Sequence, residues 1–186
     1  VFQIVEKVRE KSQVPLVFLT YLNPVFHYGY EAFLGRCRSL GVDGLIIPDL
    51  PYEEKGELAP LAASYDVDVI SMIAPTSRQR IQMIAAESRG FIYVVSSMGV
   101  TGVRSEIETD LASITETIRK VTDTPTPIGF GISTPRQARE MASVADGAIV
   151  GSAIVKIIEK YQDKAREPLM NYVREMKEAV RKADCC

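Results

Sequence analysis

The sequence predicts an α/β protein made of parallel βα units: a (β/α)8 TIM barrel of the phosphate-binding type, represented by about six units. Three observations predict it. Short apolar runs alternate with amphipathic segments six times, at intervals of roughly 20–35 residues, the rhythm of βαβ units on a parallel sheet. The apolar runs lack polar alternation, so the strands are expected to be covered on both faces. Glycine and serine corners follow the last three strands, and a phosphate seat at the final βα loops is a habit of barrels. A doubly wound open sheet is the competing architecture, but no GxGxxG follows the first strand, which weakens its dinucleotide-binding form. A barrel needs eight strands and typically about 250 residues, whereas this chain has 186. It opens on Val1, inside a helical pattern. The expectation is one partial barrel domain, residues 1–186, with the remaining quarter before Val1.

The elements follow from spacing. Val1, Ile4, Val5 and Val8 share one face of a helix that ends near Lys11-Ser12. Residues 14–22 are a dense apolar strand, broken by Asn23-Pro24. Residues 30–40 form a helix with Phe33, Leu34 and Cys37 inward. Residues 44–48 are a strand, 53–65 a helix, and 67–73 a strand ended by Ala74-Pro75-Thr76. Ser77 caps a helix over 78–88. A strand at 91–95 leads to a helix over 111–121 with Leu111, Ile114 and Ile118 on one face. Residues 127–130 are a short strand and 134–144 a helix. Residues 148–150 are the last strand, expected to be buried on both faces. Ser152 stands at the cap of a helix over 153–160, and an amphipathic helix over 167–183 closes the chain.

Composition excludes several classes. With 46% hydrophobic and 25% charged residues the chain is an ordinary globular domain. A net charge of −2 offers no basic field for nucleic acid or an anionic membrane. No apolar run approaches the ~20 residues of a membrane helix. Cys37 is isolated and Cys185-Cys186 are a terminal pair, with no CxxC, HExxH or Cys/His cluster to hold a metal. The reducing cytoplasm is the expected location.

Three corners look alike. Met98-Gly-Val-Thr-Gly102, Gly131-Ile-Ser-Thr-Pro135 and Gly151-Ser152 each place glycine just after a strand, where an oxyanion can approach the main chain. In a closed barrel they would share one rim, so a phosphate bound by backbone N–H groups is expected there. Asp49 is the only carboxylate on a strand end; it could be a general base, but capping the loop Leu50-Pro51-Tyr52 suits it better. His27, the only histidine, has no Ser/Asp partner and reads as a surface or interface residue.

Four stretches in this order carry a resemblance. Gly41-Val-Asp-Gly-Leu-Ile-Ile-Pro-Asp-Leu-Pro51, Ser97-Met-Gly-Val-Thr-Gly102, Pro127-Ile-Gly-Phe-Gly-Ile-Ser133 and Val150-Gly-Ser-Ala-Ile-Val-Lys156 resemble the tryptophan synthase α subunit family, and Tyr21-Leu-Asn-Pro-Val-Phe26 fits as well. The chain looks like the third through eighth βα units of that barrel. The resemblance implies a lyase that cleaves indole-3-glycerol phosphate to indole and glyceraldehyde 3-phosphate, a retro-aldol step without metal or cofactor in this subunit. It implies phosphate on Gly102, Gly131, Gly151 and Ser152. It implies an indole pocket of Leu19, Tyr21, Ile46, Pro48, Ile73, Tyr93, Phe130 and Ile149, and a supporting loop role for Thr101. A pyridoxal-phosphate β subunit is the implied partner, in an α2β2 heterotetramer, with contact expected at Asn23-Pro-Val-Phe26 and the loop Asp49–Tyr52. The family's catalytic Glu and Asp match no position here and would precede Val1, so the segment alone is expected to be inactive. Two alternatives compete. Another phosphate-binding barrel enzyme of aromatic amino-acid synthesis would need a lysine at a strand end, which is missing. A non-catalytic fragment or assembly module would carry open edges at 14–22 and 148–150.

Overall fold

A computed structural model of the chain describes residues 1–96, 104–129 and 131–183. Two compact units appear, one of residues 1–72 with 88–90, the other of residues 73–87 with 91 onward. No peptide bond among the described residues is cis.

In the first unit the order is α1 (Phe2–Arg9), β1 (Val17–Leu19), α2 (Leu22–Tyr28), α3 (Tyr30–Leu40), β2 (Gly44–Ile46), a 3-10 turn (Tyr52–Glu54), α4 (Lys55–Ser64) and β3 (Asp68–Val69). The strands are parallel in the order β1-β2-β3, with Phe18, Leu45 and Val69 side by side. Leu34, Cys37, Leu45, Leu58 and Ala62 are buried among Phe2, Phe18 and Phe33. Burial pushes the Cys37 thiol up to about 11, so it stays protonated.

The strand expected over 14–22 is shorter, and the chain turns helical at Leu22. Asp49 explains this. Both its carboxylate oxygens accept from the Leu22 N–H, at 3.0 and 3.2 Å, and so cap α2 from 27 residues away. Asn23-Pro24 therefore sits in the first turn of α2, where proline lacks no needed donor. Asp49 is a cap, as expected, but of α2 rather than of its own loop.

The second sheet runs β4 (Ser71–Ile73), β5 (Ile92–Val95), β6 (Pro127–Gly129), β7 (Gly147–Ile149). Its helices are α5 (Arg78–Ala86), α6 (Arg104–Arg119), α7 (Pro135–Ala142), α8 (Ser152–Tyr161) and, after a 3-10 turn, α9 (Arg166–Arg181). The expected strand 67–73 is split by Ile70 into β3 and β4. Ile92, Val94, Leu111, Ile114, Ile118 and Ile128 are buried, as the helical and strand spacing predicts. Ser77 accepts the Arg80 N–H and caps α5 as expected. The last strand departs from expectation: all three residues of β7 are only half-buried. It stands at the end of its sheet order with one neighbouring strand, and β1 does likewise in the first sheet.

At the N-terminal ends of β6 and β7 a polar lock holds the pair together. The Asp146 Oδ2 accepts from both the N–H and the hydroxyl of buried Thr126 at 2.8 Å, and Arg119 lies 3.4 Å from Oδ1. Burial alone would raise the Asp146 pKa; the Thr126 hydrogen bonds and Arg119 outweigh it and hold it below the ordinary value. A lowered folded pKa stabilises the protein above the unfolded carboxylate pKa, and that contribution is lost as pH falls through the folded value. The Asp146 side chain is 44% exposed, so solvent screens these contacts, and Asp146→Asn is expected to lose only about 0.5–1 kcal/mol near neutrality and to flatten the acid side of the stability–pH curve. Urea melts from pH 3 to 7 check this; a variant with the wild-type acid limb would contradict it.

Candidate active site

The candidate site grows from the C-terminal ends of β6 and β7. Gly129 and Ile149 are direct partners in that parallel pair. Two residues beyond each, the chain reaches Gly131 and Gly151. Gly131 has φ +76°, a left-handed conformation that disfavours any side chain. Ile132 turns inward and is only 3% exposed, anchoring the corner, while Gly131 and Ser133 face solvent. Thr134 caps α7 in a full capping box with Gln137.

Gly151, not Ser152, is the N-cap of α8; Ser152 is already its first helical residue. The Ile154 and Val155 N–H groups return to the Gly151 carbonyl at 2.9 and 3.3 Å. The earlier N–H groups of that turn point off the helix end, where the dipole favours negative charge. A Cβ on Gly151 would meet nothing within 4 Å, so the corner is open to an approaching group. Two glycine corners on adjacent, in-register strands, one opening a helix, make a main-chain seat suited to an oxyanion. The third corner, with Thr101 and Gly102, lies outside the described residues, as does Phe130.

Within the second unit, apolar side chains of β5 and β7 adjoin this seat. Tyr93 in β5 is half-buried, and its ring lies across Gly129 of the neighbouring strand. Burial raises the Tyr93 pKa, so its hydroxyl is neutral at pH 7. Ile149 ends β7 half-buried, and Ile73 ends β4 fully buried. In the first unit Leu19 and Tyr21, at the end of β1, are 70% and 65% exposed, Pro48 is exposed, and Ile46 is buried in β2. His27 is exposed, with Nδ1 3.2 Å from the Asn23 carbonyl. Among the described residues no cluster of His, Cys, Asp and Glu could hold a metal.

The family profile described as "Tryptophan synthase alpha chain" matches residues 1–183. The chain belongs to the tryptophan synthase alpha chain family. Members are lyases of tryptophan biosynthesis whose α subunit cleaves indole-3-glycerol phosphate. The chain is 52% identical over 180 residues to the tryptophan synthase alpha chain of Lacticaseibacillus casei, covering 97% of itself and 68% of that protein. It is 53% identical over 181 residues to that of Lactiplantibacillus plantarum, again covering 97% and 68%. Among solved structures, the tryptophan synthase subunit alpha of Campylobacter jejuni superposes with a TM-score of 0.85 at 32% identity, over 95% of this chain and 71% of that one. A chain from the tryptophan synthase a2b2 complex of Pyrococcus furiosus gives 0.84 at 32% identity, over 95% and 72%. The parallel βα units and these tryptophan synthase neighbours establish the (β/α)8-barrel class that the sequence predicted. Among the described residues no helix is long and apolar enough to cross a membrane.

Sequence reasoning missed Gln137, Tyr172 and Asp146. Gln137 had a signal, the Thr-x-x-Gln spacing of a capping box at 134–137. Tyr172 meets the Ser133 carbonyl from 39 residues away, which no local pattern announces.

Proposed function

We propose that this chain supplies the substrate-binding surfaces of a tryptophan synthase α subunit, with the phosphate of indole-3-glycerol phosphate on Gly131, Gly151 and Ser152 and, from the third corner, Gly102. The observation that carries the proposal is the pair of glycine corners that follow the paired ends of β6 and β7, the second opening α8. Backbone N–H bonds to an anion are each worth about 1.5–3 kcal/mol, enough for a seat without lysine. Tyr93 and Ile149 give the apolar wall beside it that an indole ring needs. Leu19, Tyr21, Ile46, Pro48, Ile73 and Phe130 are the further apolar candidates, and Thr101 supports the loop.

Cleavage of indole-3-glycerol phosphate breaks the bond between indole C3 and the glycerol carbon. It needs a proton delivered to C3 and another taken from the adjacent hydroxyl, whose carbon becomes the aldehyde. Asp49 is committed to the Leu22 N–H and is a poor candidate for either task. A polypeptide of these 186 residues alone is therefore expected to bind the phosphate and release no indole above background. Titration with glycerol 3-phosphate should move the Gly131, Gly151 and Ser152 amide resonances; unmoved amides would end the phosphate assignment. Indole release that Asp49→Asn abolishes would restore Asp49 as a catalytic residue.

The Pyrococcus furiosus relative is an a2b2 complex. By the same reading this chain docks on a β subunit through α2 and the loop after β2, where Phe26 is 61% exposed. Pyridoxal phosphate belongs to that partner and not to this chain, and the reaction takes place in the cytoplasm. Phe26→Asp should abolish co-purification with a β subunit; undiminished recovery would place the contact elsewhere.

A further inference from the structure

We propose that Gln137 and Tyr172 are positioning residues for the anion-binding corner after β6, gripping the N–H and the C=O of the same residue, Ser133, from two different helices. The inference rests on the phosphate reading of that corner. Gln137 lies in α7. Its Oε1 accepts from the Ser133 N–H at 2.9 Å, the Ser133 hydroxyl at 3.2 Å, and the Thr134 N–H and hydroxyl at 3.1 Å each. Tyr172 lies in α9, and its hydroxyl donates to the Ser133 carbonyl at 2.9 Å. An exposed corner that turns on a left-handed glycine has many accessible shapes, and a seat made of main-chain groups binds only as well as its backbone is held. The grip also decides which donors face the anion. The Ser133 and Thr134 N–H groups are committed to Gln137, so any anion donors in this corner precede Ser133.

The choice of glutamine carries a second meaning. A capping box accepts Glu as readily as Gln at this position, and a carboxylate at the start of α7 would suit the helix dipole. Stability alone therefore does not ask for glutamine. A glutamate would place a full negative charge within bonding distance of Ser133, two residues from Gly131, and would repel a bound phosphate. Gln137 caps the helix while keeping the seat free of charge.

The test is an NMR titration of the intact chain with inorganic phosphate, run beside thermal melts, on wild type, Gln137→Glu and Tyr172→Phe. Gln137→Glu is expected to melt at or above the wild-type temperature yet bind phosphate about three- to tenfold more weakly. Tyr172→Phe is expected to shift the Ser133 and Gly131 amides in the free protein and to weaken phosphate about two- to fivefold. Wild-type affinity in Gln137→Glu, or unshifted Ser133 and Gly131 amides with wild-type affinity in Tyr172→Phe, would overturn the role while leaving the phosphate assignment standing. A wild-type chain that does not respond to phosphate would remove the phosphate assignment, and this role with it. Should Gln137→Glu fail to fold, its cap is structural only and the proposal is overturned for that residue; Tyr172→Phe then decides the other half.

Discussion

Gly129→Ala is expected to destabilise the second unit by about 2–4 kcal/mol and to lower the melting temperature by roughly 5–15 °C. The cause is a collision fixed by the sheet. A Cβ at position 129 would land on the Tyr93 hydroxyl oxygen and would lie 2.5 Å from Cζ and 2.7 Å from Cε1 of the same ring. Val95 pairs with Gly129 and Val94 with Ile128, so neither backbone can retreat without breaking that pairing. The ring would have to leave its half-buried place. Tyr93→Phe should not relieve Gly129→Ala, because the ring carbons collide as well as the hydroxyl. Tyr93→Ala in the same chain should recover much of the loss, leaving the ordinary cost of a truncated aromatic. A double-mutant cycle by urea denaturation measures this directly. Additive losses in the double variant, or a Gly129→Ala chain that melts like wild type, would show that strand and ring are not in conflict.

The second large effect belongs to Arg9. Its Nη1 donates to the carbonyls of Ser12 and Val14, and its Nη2 to the Gly41 carbonyl and to Asp43 at 3.1 Å. The Asp43 carboxylate in turn accepts from the Leu16 N–H at 2.7 Å. One guanidinium thereby ties the end of α1, the approach to β1 and the corner between α3 and β2. Its side chain is only 15% exposed, although three of its four acceptors belong to exposed residues. Arg9→Ala is expected to lose about 3–4 kcal/mol, and Arg9→Lys about 2–3, because an ammonium cannot span the same divergent acceptors as a planar fork. Asp43→Asn should lose less, since Asp43 is half-exposed and the three carbonyls keep their donor. Urea midpoints at unchanged slope would register the series; a lysine variant as stable as wild type would mean that charge alone matters there.

Much of this was legible in the sequence, and the reasons differ by residue. α3 begins and ends where the 3.6-residue spacing of Leu34 and Cys37 placed it, because its signals are local. The same holds for the Ser77 cap. Burial was less legible. The run Ala148-Ile149-Val150 has the composition of a central strand, but burial depends on how many strands stand beside it, and composition does not record that. The limits of β1 were hidden because the group that starts α2 is Asp49, distant in the chain. Ser152 looked like a cap by residue type, yet the backbone bends one residue earlier, at Gly151. In the candidate site the glycine corners announced themselves through residue type. Their supports did not: Tyr172 reaches Ser133 only once α9 has packed on α7.

The Asp146–Thr126 lock and the two glycine corners occupy opposite ends of the same pair of strands. Each strand is three residues long, so roughly 10 Å separates the end that fastens from the end that receives. Such a layout lets selection act on the two properties separately. Changes at 119, 126 or 146 should be read out in melting curves and leave ligand titrations alone, whereas changes at 151 or 152 should do the reverse; a side chain at 131 should register in both, because the left-handed backbone there disfavours it. A drift in ligand preference can then accumulate at one rim without eroding the foundation that holds it.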